Sequence, residues 1–337
     1  MKKIIFFIII LISIAGVIFW LSSQKQEAVK YQGPIEEVNL KLKWYHQAQF
    51  AGNYVAKEKG FYKNQGLKVN ILPFDKDYAI KSVSEGRDMF GIAGASEVIL
   101  ARAKGIPIKA IAVIYKINPI VAYSLKSSGI TKPQDFIGKT IGIERASDGT
   151  DTDVGLLYYA MMSRLDLDRS KIKEVTIGHD ATELLAGKTD VSTGYVINEP
   201  EQVRDALGDV NTIPMAEYGA NMYADVIFAT DETIRSKPGL VERFLRATLE
   251  GWQYAIENNK EAVEMTLKYA NTSTVKHQAY MLEKSIPLIS AMDSVIGWMN
   301  EEQWNQAQNI LLNQKILQNR INIKDAYTMQ FLEKIYK

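Results

Sequence analysis

The stretch Trp44-Tyr45-His46-Gln47-Ala48-Gln49 sets two aromatic rings, an imidazole and two primary amides side by side. An aromatic face stacks on a flat ring, and carboxamides read its donors and acceptors. Trp44, His46 and Gln49 are therefore candidates for holding a planar, hydrogen-bonding ligand. The plainer reading makes Trp44 the last core residue of a strand and His46 a surface loop residue. A second group, Gly91-Ile92-Ala93-Gly94-Ala95-Ser96-Glu97, closes a strand and opens a helix with small residues. Gly94 lets a ligand approach the backbone, and Ser96 is placed to cap the helix and offer its N–H. The segment lacks the Gly-Lys-Ser/Thr element of a phosphate-binding loop.

Carboxylates form the third group. Glu144 to Asp153 reads Glu-Arg-Ala-Ser-Asp-Gly-Thr-Asp-Thr-Asp. Helix capping accounts for such residues; facing a cleft, they would also repel a sulfonate, nitrate or phosphate and favour a neutral or cationic ligand. In Tyr195-Val196-Ile197-Asn198-Glu199-Pro200, the proline suits the first turn of a helix with Asn198 or Glu199 as its cap. Capping alone needs neither Tyr195 nor Glu199, and the Glu199 carboxylate can accept from an aminopyrimidine-type N–H. Tyr115, Tyr223 and Asp225 complete the candidate set. These segments offer no evident Arg or Lys for an anion.

The 337 residues include no Cys, and the three His, His46, His179 and His277, are far apart. Disulfides, thiolate metal sites, Fe–S clusters and a Cys nucleophile are excluded, and no metal or cofactor is expected. The 40 Lys+Arg balance 39 Asp+Glu, which gives no electrostatic case for nucleic acid.

The elements that must position these residues alternate. Val38, Leu40, Leu42 and Trp44 recur at period two, as in a half-buried strand, and a helix from Phe50 to Lys59 stops at Gly60. Strand patterns at Leu67–Ile71, Met89–Ile92 and Ile108–Tyr115 alternate with helical ones at Asp77–Glu85 and Ser96–Lys104. The pattern restarts after Lys132-Pro133: strands at Thr140–Ile143, Val175–Ile177 and Val191–Val196, helices at Asp153–Arg164, Thr182–Ala186 and Glu199–Leu207. Long helices follow Ala224, including Pro238–Asn258, Lys260–Tyr269 and Glu301–Asn313. Such units predict an α/β fold of two lobes with largely parallel sheets and a ligand cleft beyond the strand ends.

At the N-terminus, Lys2 and Lys3 precede an apolar run from Ile4 to Leu21 with no good small-x-small cleavage site. An uncleaved membrane anchor over residues 4–21 is the first reading, a cleaved signal peptide the second, and a buried N-terminal helix the third. Either of the first two exports the rest. The expected division is 1–22 anchor or signal, 23–36 linker, 37–125 first part of lobe one, 126–225 lobe two, and 226–337 the return to lobe one with the C-terminal helices.

Several stretches carry a resemblance: Leu42 to Gly52 with Ala56 to Tyr62, Ala101 to Pro107, Gly138 to Gly142, Asn198-Glu199-Pro200, and Tyr218-Gly219 followed by Tyr223-Ala224-Asp225. They resemble the exported solute-binding proteins of ABC importers, in the sulfonate-binding and thiamine-pyrimidine-synthase-like branch. The resemblance implies a two-lobed type II periplasmic-binding fold, with crossing strands near Ile120–Leu125 and Val226–Thr230. It also implies an ABC permease as partner, a monomer, and a small aromatic nitrogen heterocycle as ligand. A pyrimidine precursor of thiamine comes first, with riboflavin as another flat ring. The related eukaryotic enzymes carry a Lys for the pyridoxal aldehyde and a His four residues on; the matching positions here are Ala93 and Glu97. With the cysteine motif also absent, binding is expected and synthase chemistry is not. A membrane-tethered ligand sensor is the remaining alternative.

Overall fold

The computed structural model describes residues 31–75, 78–145, 152–271, 273–292 and 295–337. The expected anchor or signal and the linker up to residue 30 lie outside the described residues. Among those described, no helix is long and apolar enough to cross a membrane.

The described strands form two five-stranded sheets. In the first, β1 (Glu36–Lys41), β2 (Leu67–Leu72), β3 (Phe90–Ala93), β4 (Ile108–Val113) and β10 (Val226–Thr230) lie in the order β2-β1-β3-β10-β4. In the second, β5 (Ile120–Leu125), β6 (Thr140–Glu144), β7 (Lys173–Ile177), β8 (Val191–Tyr195) and β9 (Val210–Pro214) lie in the order β7-β6-β8-β5-β9. Parallel pairing sets Val38 opposite Val69 and Leu40 opposite Ile71, all four buried. The helices of six or more residues are α1 (Ala51–Glu58), α2 (Ala79–Ser84), α3 (Ala95–Ala103), α4 (Asp153–Arg164), α5 (Glu199–Leu207), α6 (Asp231–Ser236), α7 (Pro238–Glu257), α8 (Asn259–Leu267), α9 (Val275–Ile289) and α10 (Glu301–Asn313). Glycines let α7 lie directly on α1: a Cβ on Gly52 would strike the Trp252 ring, and one on Gly251 the Gly52 carbonyl.

Three expectations need correction. The sheets are mixed: β10 runs antiparallel to β3 and β4, and β5 antiparallel to β8 and β9. These are the strands by which the chain enters each sheet from the other lobe. Because β5 pairs wholly within the second sheet, the chain changes lobe between Val113 and Ile120, ahead of the division expected at 125. Finally, β1 ends at Lys41, so Trp44 stands in the loop beyond it. The polar positions do not share one solvent face: Glu37 and Lys68 are exposed, whereas Lys41 is buried and bridges Asp75 at 2.7 Å.

The two crossings are tied together. Asn118 N donates to Asn221 Oδ1 at 2.9 Å, and Asn118 Nδ2 to the Met222 carbonyl at 3.0 Å. Ala224 N donates to the Tyr115 carbonyl and Ile114 N to that of Asp225. This clasp delivers Asp225 to the line where the lobes meet.

Candidate functional site

The C-terminal ends of β1 and β3 in one lobe face those of β6 and β8 in the other. Helices α3 and α4 begin there, so two helix N-termini approach each other with carboxylates in their first turns, Glu97 and Asp153. Ser96 Oγ donates to Asp153 Oδ1 across the gap. Gly94, the residue before α3, is where Asp153 comes closest: a Cβ on it would stand 2.5 Å from Asp153 Oδ2. Ser96 therefore bridges the lobes and is not the cap; Gly94 takes the cap position, and Glu97 accepts from its N–H at 2.7 Å.

Beneath this contact lies a polar floor. Asp225, 1% exposed, accepts from Gln49 Nε2 at 2.9 and 3.1 Å and holds Lys43 Nζ at 3.4 Å. Burial disfavours the Lys43 charge, but Tyr195, Asp225, Glu97 and Asp153 together outweigh it and raise its pKa. Burial raises Glu97, against the pull of Lys43, and raises Asp225, against Lys43 and Gln49. One ammonium thus faces three carboxylates, an arrangement that favours a neutral or cationic guest and penalises an anion. Burial also raises the Tyr195 phenol, with Lys43 opposing.

Trp44 stands at the rim, its ring 5.2 Å from that of His179 in the second lobe and 6.0 Å from Phe74. His179 is itself held 3.0 Å from Glu144, which raises its pKa.

Of the sequence candidates, Trp44, Gln49, Gly94, Ser96, Tyr195 and Asp225 converge on this line. The others take different positions. His46 Nδ1 meets Tyr54 Oη at 3.0 Å and its ring packs near Tyr54 and Tyr269; burial, then Lys57, lowers its pKa. Tyr115 is buried and donates to Ser285 Oγ at 2.6 Å. Tyr223 turns towards the C-terminal region, accepting from Asn300 N at 3.0 Å beside Trp304. Glu199, 4% exposed, spends both oxygens locally, on Tyr195 N and Asn198 Nδ2, each at 2.7 Å. Burial raises its pKa to about 7. Asn198 precedes α5 without capping it through its side chain. Of the acidic loop, 146–151 lies outside the described residues. Lys43 was missed as a cleft residue, and the view that these segments lack a cation is corrected. Its alternation with Leu42 and Trp44 reads as a solvent face, whereas the loop beyond β1 turns it onto Asp225.

The NMT1/THI5 like family matches residues 47–262. The chain belongs to that family. The chain is 26% identical to the riboflavin-binding protein RibY of Chloroflexus aurantiacus, over 89% of this chain and 87% of that one. It is 26% identical to the 4-amino-5-hydroxymethyl-2-methylpyrimidine phosphate synthase of Legionella pneumophila, covering 88% and 92%. Identity to the formylaminopyrimidine-binding protein of Halalkalibacterium halodurans is 23%, covering 94% and 97%. The fold matches the periplasmic aliphatic sulphonate binding protein SsuA of Escherichia coli with a TM-score of 0.67 at 14% identity, covering 86% and 91%. The NMT1/THI5-like chain therefore has the two-lobed periplasmic-binding fold.

Proposed function

We propose that this chain is the exported solute-binding component of an ABC-type importer and captures a flat nitrogen heterocycle, first a pyrimidine precursor of thiamine. It works with a membrane permease, as a monomer, with residues 4–21 as its anchor. The observation that carries the reading is the inter-lobe site: Lys43, Asp225, Gln49 and Glu97 on one side, Asp153 and Tyr195 on the other, with Trp44 at the rim. Carboxylates accept from ring N–H and amino groups, Lys43 and Gln49 donate to ring nitrogens or carbonyls, and Trp44 stacks. A ligand touching both lobes stabilises the closed state through that differential contact. Relatives named for binding riboflavin and formylaminopyrimidine support the choice of heterocycle.

A synthase is the second reading, favoured by its named relatives. Covalent capture of an aldehyde requires a neutral lysine amine. The cleft lysine, Lys43, is kept charged by its carboxylates, and Ala93 is buried at the end of β3. Pyridoxal phosphate followed by borohydride should leave Lys43 unmodified in a peptide map, whatever the exposed lysines take up; a trapped Lys43 adduct together with pyrimidine phosphate formation would restore the enzyme.

The test of the binding reading is a mass spectrum of small molecules released when the purified protein is denatured. A flat nitrogen heterocycle is expected. An alkanesulfonate or other anion in its place overturns the reading.

A further inference from the structure

The register of β1 and β2 continues past both strands: Leu42 N donates to the Leu72 carbonyl at 2.8 Å, and Phe74 N to the Trp44 carbonyl at 2.9 Å. That pairing brings two loops side by side and builds a contiguous group of aromatic rings. Trp44 and Phe74 are stacked, their ring planes 25° from parallel. Tyr45 stands edge-on to both, at 5.2 and 5.8 Å, and Tyr78 is 5.3 Å from Phe74. Tyr45 and Tyr78 are 57% and 61% exposed. Contiguous exposed aromatics, unlike scattered ones, mark a contact surface.

This surface is continuous with the polar floor. Trp44 meets His179 of the second lobe at 5.2 Å, His179 is held 3.0 Å from Glu144, and the charges of Glu144 and Lys43 both act on Tyr195 beside the floor. A single ring held by Lys43, Gln49 and the carboxylates reaches Trp44. The rings then step outward, from Trp44 to Phe74 at 6.0 Å and from Phe74 to Tyr78 at 5.3 Å, beyond the reach of that one ring.

We infer that Trp44, Tyr45, Phe74 and Tyr78 form an outer subsite, and that among the flat heterocycles of the proposed function the site favours, over a lone pyrimidine, a pyrimidine joined to a second flat ring system, fused or linked. The inference rests on the proposed function, because it extends the same cleft. The floor reads the polar edge of the pyrimidine, and the rim stacks the second ring, for which His179 supplies a wall from the other lobe.

The experiment is isothermal titration of the full-length protein and its Tyr45→Ala and Tyr78→Ala variants with three probes. They are 4-amino-5-hydroxymethyl-2-methylpyrimidine (one ring), riboflavin (fused rings) and thiamine (linked rings). Both substituted side chains are largely exposed, so the variants keep the fold. At least one two-ring probe should bind about ten-fold or more tighter than the one-ring probe, and each variant should weaken it about five-fold or more, the scale of one stacking contact. One-ring binding should change less than about two-fold, because that probe stops at Trp44 and does not reach Tyr45 or Tyr78. Which two-ring probe responds separates fused from linked ligands. One-ring binding as tight as any two-ring binding, or variants that leave two-ring binding unchanged or weaken all probes equally, overturns the outer subsite alone. Absence of binding by all three overturns the heterocycle reading with it.

Discussion

Gly94 of the first lobe and Asp153 of the second are so close that a methyl group on the glycine would stand 2.5 Å from Asp153 Oδ2. The Gly94 backbone, at φ −76° and ψ 156°, is open to any residue, so the glycine is needed for this approach and not for its conformation. Gly94→Ala should therefore leave the first lobe folded and hold the lobes apart. Ligand affinity should drop about ten-fold or more, roughly 1.4 kcal/mol, and small-angle scattering at saturating ligand should show a larger radius of gyration than wild type. Unchanged affinity and radius would mean that this contact does not limit closure.

The Lys43 charge is enclosed by acidic partners, so removing it leaves Asp225, Glu97 and Asp153 facing one another. Lys43→Met should destabilise the protein by about 3 kcal/mol in urea unfolding, the scale for breaking a buried pair. Asp225→Asn should lose less, because Glu97 and Asp153 still compensate the lysine. A reversed order would contradict the electrostatics assigned to the floor.

Glu199 gives a pH dependence with a definite sign. Its pKa is raised by burial to about 7 from an ordinary 4.5, so the folded state binds the proton more tightly than the unfolded one. This group therefore favours folding at low pH, and its contribution falls as pH rises from 4.5 through 7. Between pH 8 and 5 it should add about 2 kcal/mol of stability. Glu97 and Asp225 push the same way, so the slope is read as wild type minus Glu199→Gln. Identical slopes in the two would show that Glu199 does not titrate in this range.

Much of the fold is legible in the sequence because its signals are local. Asp153–Arg164, Glu199–Leu207 and Glu301–Asn313 are read with their observed ends, since each shows an apolar periodicity with acidic residues or proline at its start. Helix α9 escapes notice because Pro287 interrupts the pattern near its end. Strand β9 is missed because Asn211 and Thr212 break its apolar run. The site is only half legible. Gln49 and Asp225 are 176 residues apart, and only the folded crossing joins them. Lys43 is hidden by an apparent strand alternation that stops at Lys41, beyond which the loop carries it to Asp225. Glu199 has the right chemistry, but its oxygens are taken by the turn that carries it.

Helix α9 packs on the first lobe, where Gln278 Oε1 accepts from Ala48 N at 2.5 Å, and reaches the second through one face. Tyr280 Oη donates to the Val196 carbonyl at 2.9 Å, His277 Nδ1 lies 2.5 Å from Glu201 Oε2, and Lys276 Nζ lies 2.5 Å from Asp205 Oδ2. Tyr280→Phe removes one hydrogen bond, worth about 1 kcal/mol, from the closed state. Ligand dissociation measured by stopped flow should quicken about five-fold, with association nearly unchanged. An effect confined to association would place this face outside closure.

The most direct measurement of the central claim is one melting-shift panel on the wild-type protein, with an aminopyrimidine, riboflavin, taurine and nitrate side by side. At about 100 times its dissociation constant, a true ligand adds about 2.7 kcal/mol to stability, a clear rise in Tm. The acidic floor predicts that a heterocycle gives this rise, that taurine and nitrate give none, and that Trp44→Ala diminishes it. A shift with taurine or nitrate and none with either heterocycle would contradict the account.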